Sequence, residues 1–201
     1  MSGLSREPII LASGSFSRKA MLDAVGAAYE AIPADIDERG LEAEMSDSAP
    51  AEIAQALAAA KAAAVSAQHP AKIVLGSDSL VDVGGTRFDK PESREQAAEH
   101  LRSFSGQVMT LHSAAALAQG GQIMWVGGDF ARLKFRELSD VFIETYLEAE
   151  WPEVAGCVGV FRIEAAGPHL FESIVGDQFT VLGMPLLQVM SALRDQGAIA
   201  S

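Results

Sequence analysis

Strand-like and helix-like segments alternate through the first half of this chain and then give way to consecutive strands, an order that few folds satisfy. Runs rich in β-branched and aromatic residues predict strands at Ile9–Ala12, Ile73–Leu75, Val108–Leu117, Gln122–Val126 and Phe130–Phe135. Helical patterns fall at Ser17–Val25, Pro50–Gln68, Arg94–Ser103, Asp140–Ala149 and Leu186–Gln196, the last stopped by Gly197. Strands separated by helices pair in parallel, whereas strands joined by short turns pair antiparallel. The expectation is an α/β fold with a mixed, twisted sheet flanked by helices, rather than a purely doubly wound one. There is no internal repeat, and 201 residues suffice for one domain or two closely joined lobes.

Charge narrows the possible ligands. Asp and Glu number 27 against 15 Lys and Arg, a formal net charge of -12. Duplex binding is dominated by phosphate neutralisation, so a nucleic-acid surface is not expected. Small phosphorylated ligands need only a few local cations and stay open. Cys157 is the only cysteine, which rules out an internal disulfide and a thiolate metal cluster and fits a reduced, cytoplasmic compartment. Ile9–Ala12 is too short for a signal-peptide core, and no apolar run is long enough to span a bilayer, so no membrane association is expected.

Local cations appear where the first strand ends. Ile9–Ala12 runs into Ser13-Gly14-Ser15, which lets the backbone turn tightly, and Arg18 and Lys19 then open a helix carried on by Met21, Leu22 and Val25. A helix N-terminus presents unpaired N–H groups and the positive end of its dipole, so hydroxyls and cations there form a phosphate cradle. A second cluster follows. Gly84-Gly85 predicts a tight hairpin within Leu80–Phe88, which returns Asp89-Lys90-Pro91 to the neighbourhood of Gly76-Ser77-Asp78. Asp78 is expected just past the end of a buried strand, where open sheets place ligands. The Asp78–Lys90 pair reads equally as a surface ion pair of little energetic weight.

Ala51–Gln68 is a strong helix former with an expected apolar stripe through Ile53, Leu57, Ala60, Ala64 and Val65. Lys61 falls on the flank of that stripe. It is either a snorkelling lysine whose stem covers the core or a cation aimed into a cleft. Asp35, Asp37, Glu42, Glu44 and Asp47 are expected to be solvated, and the four histidines lack metal-ligand spacing.

Taken in order, these segments resemble the Maf family of nucleoside triphosphate pyrophosphatases from Leu11 to Gly197. The carrying motifs are Ala12-Ser13-Gly14-Ser15-Phe16-Ser17-Arg18-Lys19, Asp35-Ile36-Asp37-Glu38, Lys61, Gly76-Ser77-Asp78, Asp89-Lys90-Pro91, Ser105-Gly106, Gly176-Asp177 and Gly183-Met184-Pro185-Leu186. Three positions depart from the family pattern. Phe16 replaces a usual proline, Ser17 an arginine or tryptophan, and Asp89 a glycine. The resemblance implies an inosine-triphosphatase-like architecture over residues 1–201, with two lobes around a central nucleotide cleft. It also implies hydrolysis of a nucleoside triphosphate to a monophosphate and pyrophosphate with Mg²⁺ or Mn²⁺.

On that resemblance Asp78 is the catalytic carboxylate and Glu38 the second, with Lys90 beside them. Ser13, Ser15, Arg18, Lys61 and Lys90 hold the phosphates. Asp78, Glu38 and Asp177 are the candidate metal ligands. Cys157–Glu164 and Leu170-Phe171-Glu172 resemble the branch linked to 7-methyl-GTP, where Glu164 would accept from the N1–H and 2-amino group of a methylated guanine. Glu164 reads otherwise as a solvated carboxylate or a partner of Arg162. The alternatives are a dTTP/UTP pyrophosphatase of the same family and a nucleotide-binding cell-division regulator with little turnover. Asp35-Ile36-Asp37 invites comparison with haloacid-dehalogenase phosphatases, but Ala31-Ile32-Pro33-Ala34 is a poor strand end and Arg39 occupies the later position where a Thr or Val is wanted, and no P-loop sequence exists. A homodimer is compatible with these residues and not demanded by them.

Overall fold

In a computed structural model, which describes residues 7–200, one seven-stranded sheet organises the chain. The strands are β1 (Ile9–Leu11), β2 (Tyr29–Ala31), β3 (Val74–Val83), β4 (Thr86–Phe88), β5 (Val108–Gln119), β6 (Gln122–Phe135) and β7 (Phe171–Val175). Their order is β2-β1-β3-β5-β6-β7, with β4 paired to β3. β1 pairs in parallel with β2 and β3, and every other pairing is antiparallel. The mixed sheet is therefore as expected, because β1, β2 and β3 are joined through helices and the later strands through turns. The helices are α1 (Phe16–Ala24), α2 (Glu38–Glu44), α3 (Pro50–Gln68), α4 (Arg94–Phe104), α5 (Asp140–Glu150), α6 (Gln178–Val181) and α7 (Leu186–Asp195).

Two strands are longer than expected. β3 does not end at Leu75 but runs on through Asp78 to Val83, paired with β5 at every residue. The polar Ser77 and Ser79 imitate a loop, yet their hydroxyls are satisfied inside the fold by Ala114 O at 2.8 Å and Gly183 O at 3.0 Å. β6 likewise passes unbroken through Gly127-Gly128, which were expected to divide it. A Cβ at Gly127 would lie 2.3 Å from the Trp125 ring, so this glycine relieves crowding rather than turning the chain.

The long β3 creates the cleft. One of its edges pairs with β1 only through Val74 and Leu75 and with β4 only from Val81 onward. Between these stretches the edge is open, and Asp78 lies in the gap. One apolar cluster, built on Leu11, Leu75 and Leu117, packs against α1 and α7; another, built on Val81, Leu101, Leu133 and Leu147, packs against α4 and α5. The two clusters thus pack the sheet against different helices.

α3 crosses the sheet face between them. Its buried face is Ile53, Ala54, Leu57, Ala58, Lys61, Ala62, Val65 and Ser66. This corrects the expected stripe: Ala60 and Ala64 lie off it, and Lys61 is at its centre. Short side chains bring helix and sheet together, with Ala54, Ala58 and Ala62 clustered with Ala114, Ala116 and Ala118. At Gly76 the approach is closest, since a Cβ there would sit 2.2 Å from Ala58 O and 2.7 Å from Ala62 N.

Candidate active site

α3's approach at Gly76 decides where Lys61 points. Its side chain reaches Asp78, two residues further along the same face of β3, with Nζ 2.5 Å from Asp78 Oδ1 and 2.8 Å from Glu38 Oε2. Lys61 is 9% exposed and Asp78 8%. The snorkelling reading is thereby replaced, because the ammonium is buried between two carboxylates instead of reaching water. Glu38 is the first residue of α2. Asp37, expected to be solvated, caps that helix by accepting from Gly40 N at 2.9 Å. Glu42, also expected in solvent, pairs with Arg87 of β4 at 2.8 Å and ties α2 to the hairpin. The described hydrogen bonds use neither Asp78 Oδ2 nor Glu38 Oε1.

Arg18 lies on the other face of β3. It donates through Nε to Gly183 O (3.0 Å), through Nη1 to Ser13 Oγ (3.1 Å) and through Nη2 to Ser79 Oγ (3.2 Å). A guanidinium carries five N–H donors, so one on each terminal nitrogen stays available. Burial lowers its pKa, with Asp78 and Glu38 pulling the other way, and the group stays charged at any working pH. Ser13 Oγ also accepts from Ser15 N at 3.2 Å, and Ser15 Oγ caps α1 by accepting from Arg18 N at 3.5 Å. Each serine accepts from the protein and keeps its own O–H to donate to an anion. Ser79 had no sequence signal separating it from other strand serines; its position one residue after Asp78 is the clue that would have found it.

One cavity of about 1120 Å³ joins these groups. Its lining includes Ser13, Ser15, Arg18, Glu38, Lys61 and Asp78 on one side and Lys90, Cys157, Phe161, Arg162 and Glu164 on the other. Lys90 and Glu164 are exposed and make no described hydrogen bond or ion pair. Arg162 pairs with Glu150 at 2.9 Å, which leaves Glu164 to the cleft. Burial raises the Cys157 thiol, so it offers no ready thiolate nucleophile. Asp177 is not in the lining; it caps α6 by accepting from Phe179 N at 2.8 Å. Phe16, at the α1 end of the cleft, is 76% exposed.

Charge in the cleft bears on a metal. Carboxylates outnumber cationic side chains in the lining by seven to five, so a polyphosphate would enter against net negative charge. A hard divalent cation taking one or two carboxylates, water and phosphate oxygens removes that conflict. Asp78 and Glu38 converge on one ammonium and each has an uncommitted oxygen, a donor set that fits Mg²⁺ or Mn²⁺. No group of three or more His, Cys, Asp or Glu side chains is arranged to hold a metal among the described residues.

A mixed α/β sheet flanked by helices is the class of fold that this chain shares with the Staphylococcus aureus Ham1 protein. The two superpose with a TM-score of 0.52 over 94% of this chain and 100% of that one, at 13% identity, a likeness of fold alone. Residues 8–196 match the family described as Maf-like protein, and the chain belongs to that family. It is 43% identical over 193 residues to a "Nucleoside triphosphate pyrophosphatase" of Rhodopseudomonas palustris, covering 96% of each chain. It is also 44% identical over 195 residues to a "7-methyl-GTP pyrophosphatase" of Mesorhizobium japonicum, covering 96% of this chain and 98% of that one. No helix among the described residues is long and apolar enough to cross a membrane.

Proposed function

We propose that the chain is a nucleoside triphosphate pyrophosphatase that cleaves between the α and β phosphates of a modified purine nucleotide, 7-methyl-GTP or a close analogue. The observation that carries this reading is Lys61 held between Asp78 and Glu38 in a cleft that also contains the free donors of Arg18, Ser13 and Ser15. The relatives named for this activity support it. The chain acts as one domain in the cytoplasm, with the nucleotide bound between its lobes.

Arg18, the serine hydroxyls and the α1 N-terminus take the phosphate oxygens, and Lys90 adds a point charge from the opposite rim. Asp78, oriented through Oδ1 by Lys61, receives at Oδ2 the proton of a water that attacks the α-phosphorus. The bond to the bridging oxygen breaks, and monophosphate and pyrophosphate leave. A divalent cation held by Glu38 and, through water, by Asp78 would neutralise charge on the phosphate oxygens. Glu164 faces the base and accepts from the guanine N1–H and 2-amino group.

Turnover of 7-methyl-GTP in H₂¹⁸O tests this. The label is expected in the monophosphate, with release of pyrophosphate and loss of turnover in EDTA that Mg²⁺ or Mn²⁺ restores. Label appearing only in pyrophosphate or orthophosphate contradicts attack at the α-phosphorus.

A further inference from the structure

Residues 157–166 form the wall of the cleft opposite the phosphate groups, yet no strand pairing holds them. Their main-chain hydrogen bonds run only within the segment or to the adjoining turns, as in Val160 N to Cys157 O and Gly167 N to Arg162 O. Among the described residues, α5 alone reaches across to bond it. Tyr146, 4% exposed, donates its hydroxyl to Val160 O at 3.0 Å. Glu150, 5% exposed, accepts from Arg162 Nε at 2.9 Å and from Ala166 N at 3.3 Å.

The segment is also strained where Tyr146 grips it. Val160 has φ 55°, a conformation that a β-branched residue adopts only when its surroundings impose it. Val160 is fully buried, and neighbouring Gly159 could not carry a Cβ, which would meet the Phe161 ring at 2.5 Å. Phe161, Arg162 and Glu164, which follow Val160, line the cleft. Burial raises the Tyr146 phenol, so it remains a donor at any working pH.

We infer that Tyr146 and Glu150 are positioning residues that brace this wall in the form that selects the nucleobase, although neither lines the cleft. The inference rests on the proposed assignment of the wall to base recognition. It deepens that assignment by locating selectivity partly in α5, behind the contact surface.

The test uses the full-length protein, with 7-methyl-GMP and inorganic tripolyphosphate as probes in calorimetric titrations that need no turnover. Tyr146→Phe removes one hydroxyl and strands a buried carbonyl, so 7-methyl-GMP is expected to bind about fivefold to tenfold more weakly. Glu150→Gln is expected to act in the same direction. Tripolyphosphate affinity should stay within about twofold in both, since the phosphate side is untouched, and in turnover the loss should fall on KM rather than kcat. Unchanged 7-methyl-GMP affinity overturns the inference, as does equal weakening of both probes in step with thermal stability. Hydrogen exchange on the unmutated protein provides the answer should a variant fail to fold: 7-methyl-GMP, but not tripolyphosphate, should slow exchange across residues 157–166. Absent protection, or no binding of 7-methyl-GMP at all, also overturns it. Lack of pyrophosphate release by the unmutated protein would instead remove the hydrolase reading and leave these binding measurements standing.

Discussion

On the α1–α3 side of the cleft, Lys61, Asp78 and Glu38 satisfy one another at hydrogen-bond distance, Arg18 is held by Ser13, Ser79 and Gly183, and of these four charged groups all but Glu38 are buried. On the far side, Glu164 stands exposed on a segment that Tyr146 and Glu150 hold from behind. A preorganised polar cluster needs no rearrangement when charge develops at phosphorus, which is where catalysis gains most. Exposed groups on a braced loop suit recognition, because a change there alters one contact without undoing the cluster. Under the proposed function, the first group carries the reaction and the second chooses its substrate.

The strongest way to break that division is Lys61→Gln. It leaves Asp78 and Glu38 facing each other without their shared cation, so turnover should fall about a hundredfold or more for every nucleotide alike. A loss confined to one base would contradict the division. Gly76→Ala sharpens it from the scaffold side, because the new methyl meets backbone atoms of α3, which cannot rotate away. A stability loss of about 1–3 kcal/mol is expected in denaturant titration, with slower turnover as Lys61 is carried off Asp78.

A smaller effect is expected from His100 of α4, whose ring packs against Phe88 and Phe104. Burial lowers its pKa against the pull of Glu99 and Asp89, and its Nδ1 has no hydrogen-bond partner. The unfolded chain takes up this proton near the ordinary value of 6.5. The contribution of the neutral ring is therefore full above that pH and is lost as pH falls through the lower folded value. The melting temperature should drop as pH falls below 6.5 by the same linkage, and His100→Leu should make the drop shallower. His112 is shifted in the same direction for the same reason and should leave a residual slope.

How much of this was legible in the sequence depended on how each residue is held. Helix α3 appeared at its true ends because proline opens it and helix formers fill it, but its buried face did not. Alanine is apolar on every side, so the pattern could not orient the helix, and Lys61 looked peripheral. The signal was present in the series Ile53, Leu57, Lys61 and Val65, four residues apart, which places a lysine in a core register. β3 was cut short because Ser77, Asp78 and Ser79 are polar, and only the pairing with β5 and the carbonyl of Gly183 make them strand residues. The family motifs brought Ser13, Arg18, Glu38, Asp78 and Lys90 into view, and the cleft brings these five together. Asp177, three-dimensionally a helix cap, stands outside it. Tyr146, Glu150 and Ser79 carried no motif, since their roles exist only through partners distant in the chain.

The division between the two walls is tested most directly by measuring pyrophosphate release from 7-methyl-GTP, UTP and dTTP by the unmutated protein, Asp78→Asn and Glu164→Gln side by side. 7-methyl-GTP should rank first in the unmutated protein. Asp78→Asn should lower turnover of all three about a hundredfold to ten-thousandfold. Glu164→Gln should reduce the preference for 7-methyl-GTP by about tenfold, the loss of one charge-assisted recognition, while keeping pyrimidine turnover. Wild-type rates in Asp78→Asn, or a uniform loss in Glu164→Gln, would contradict the account.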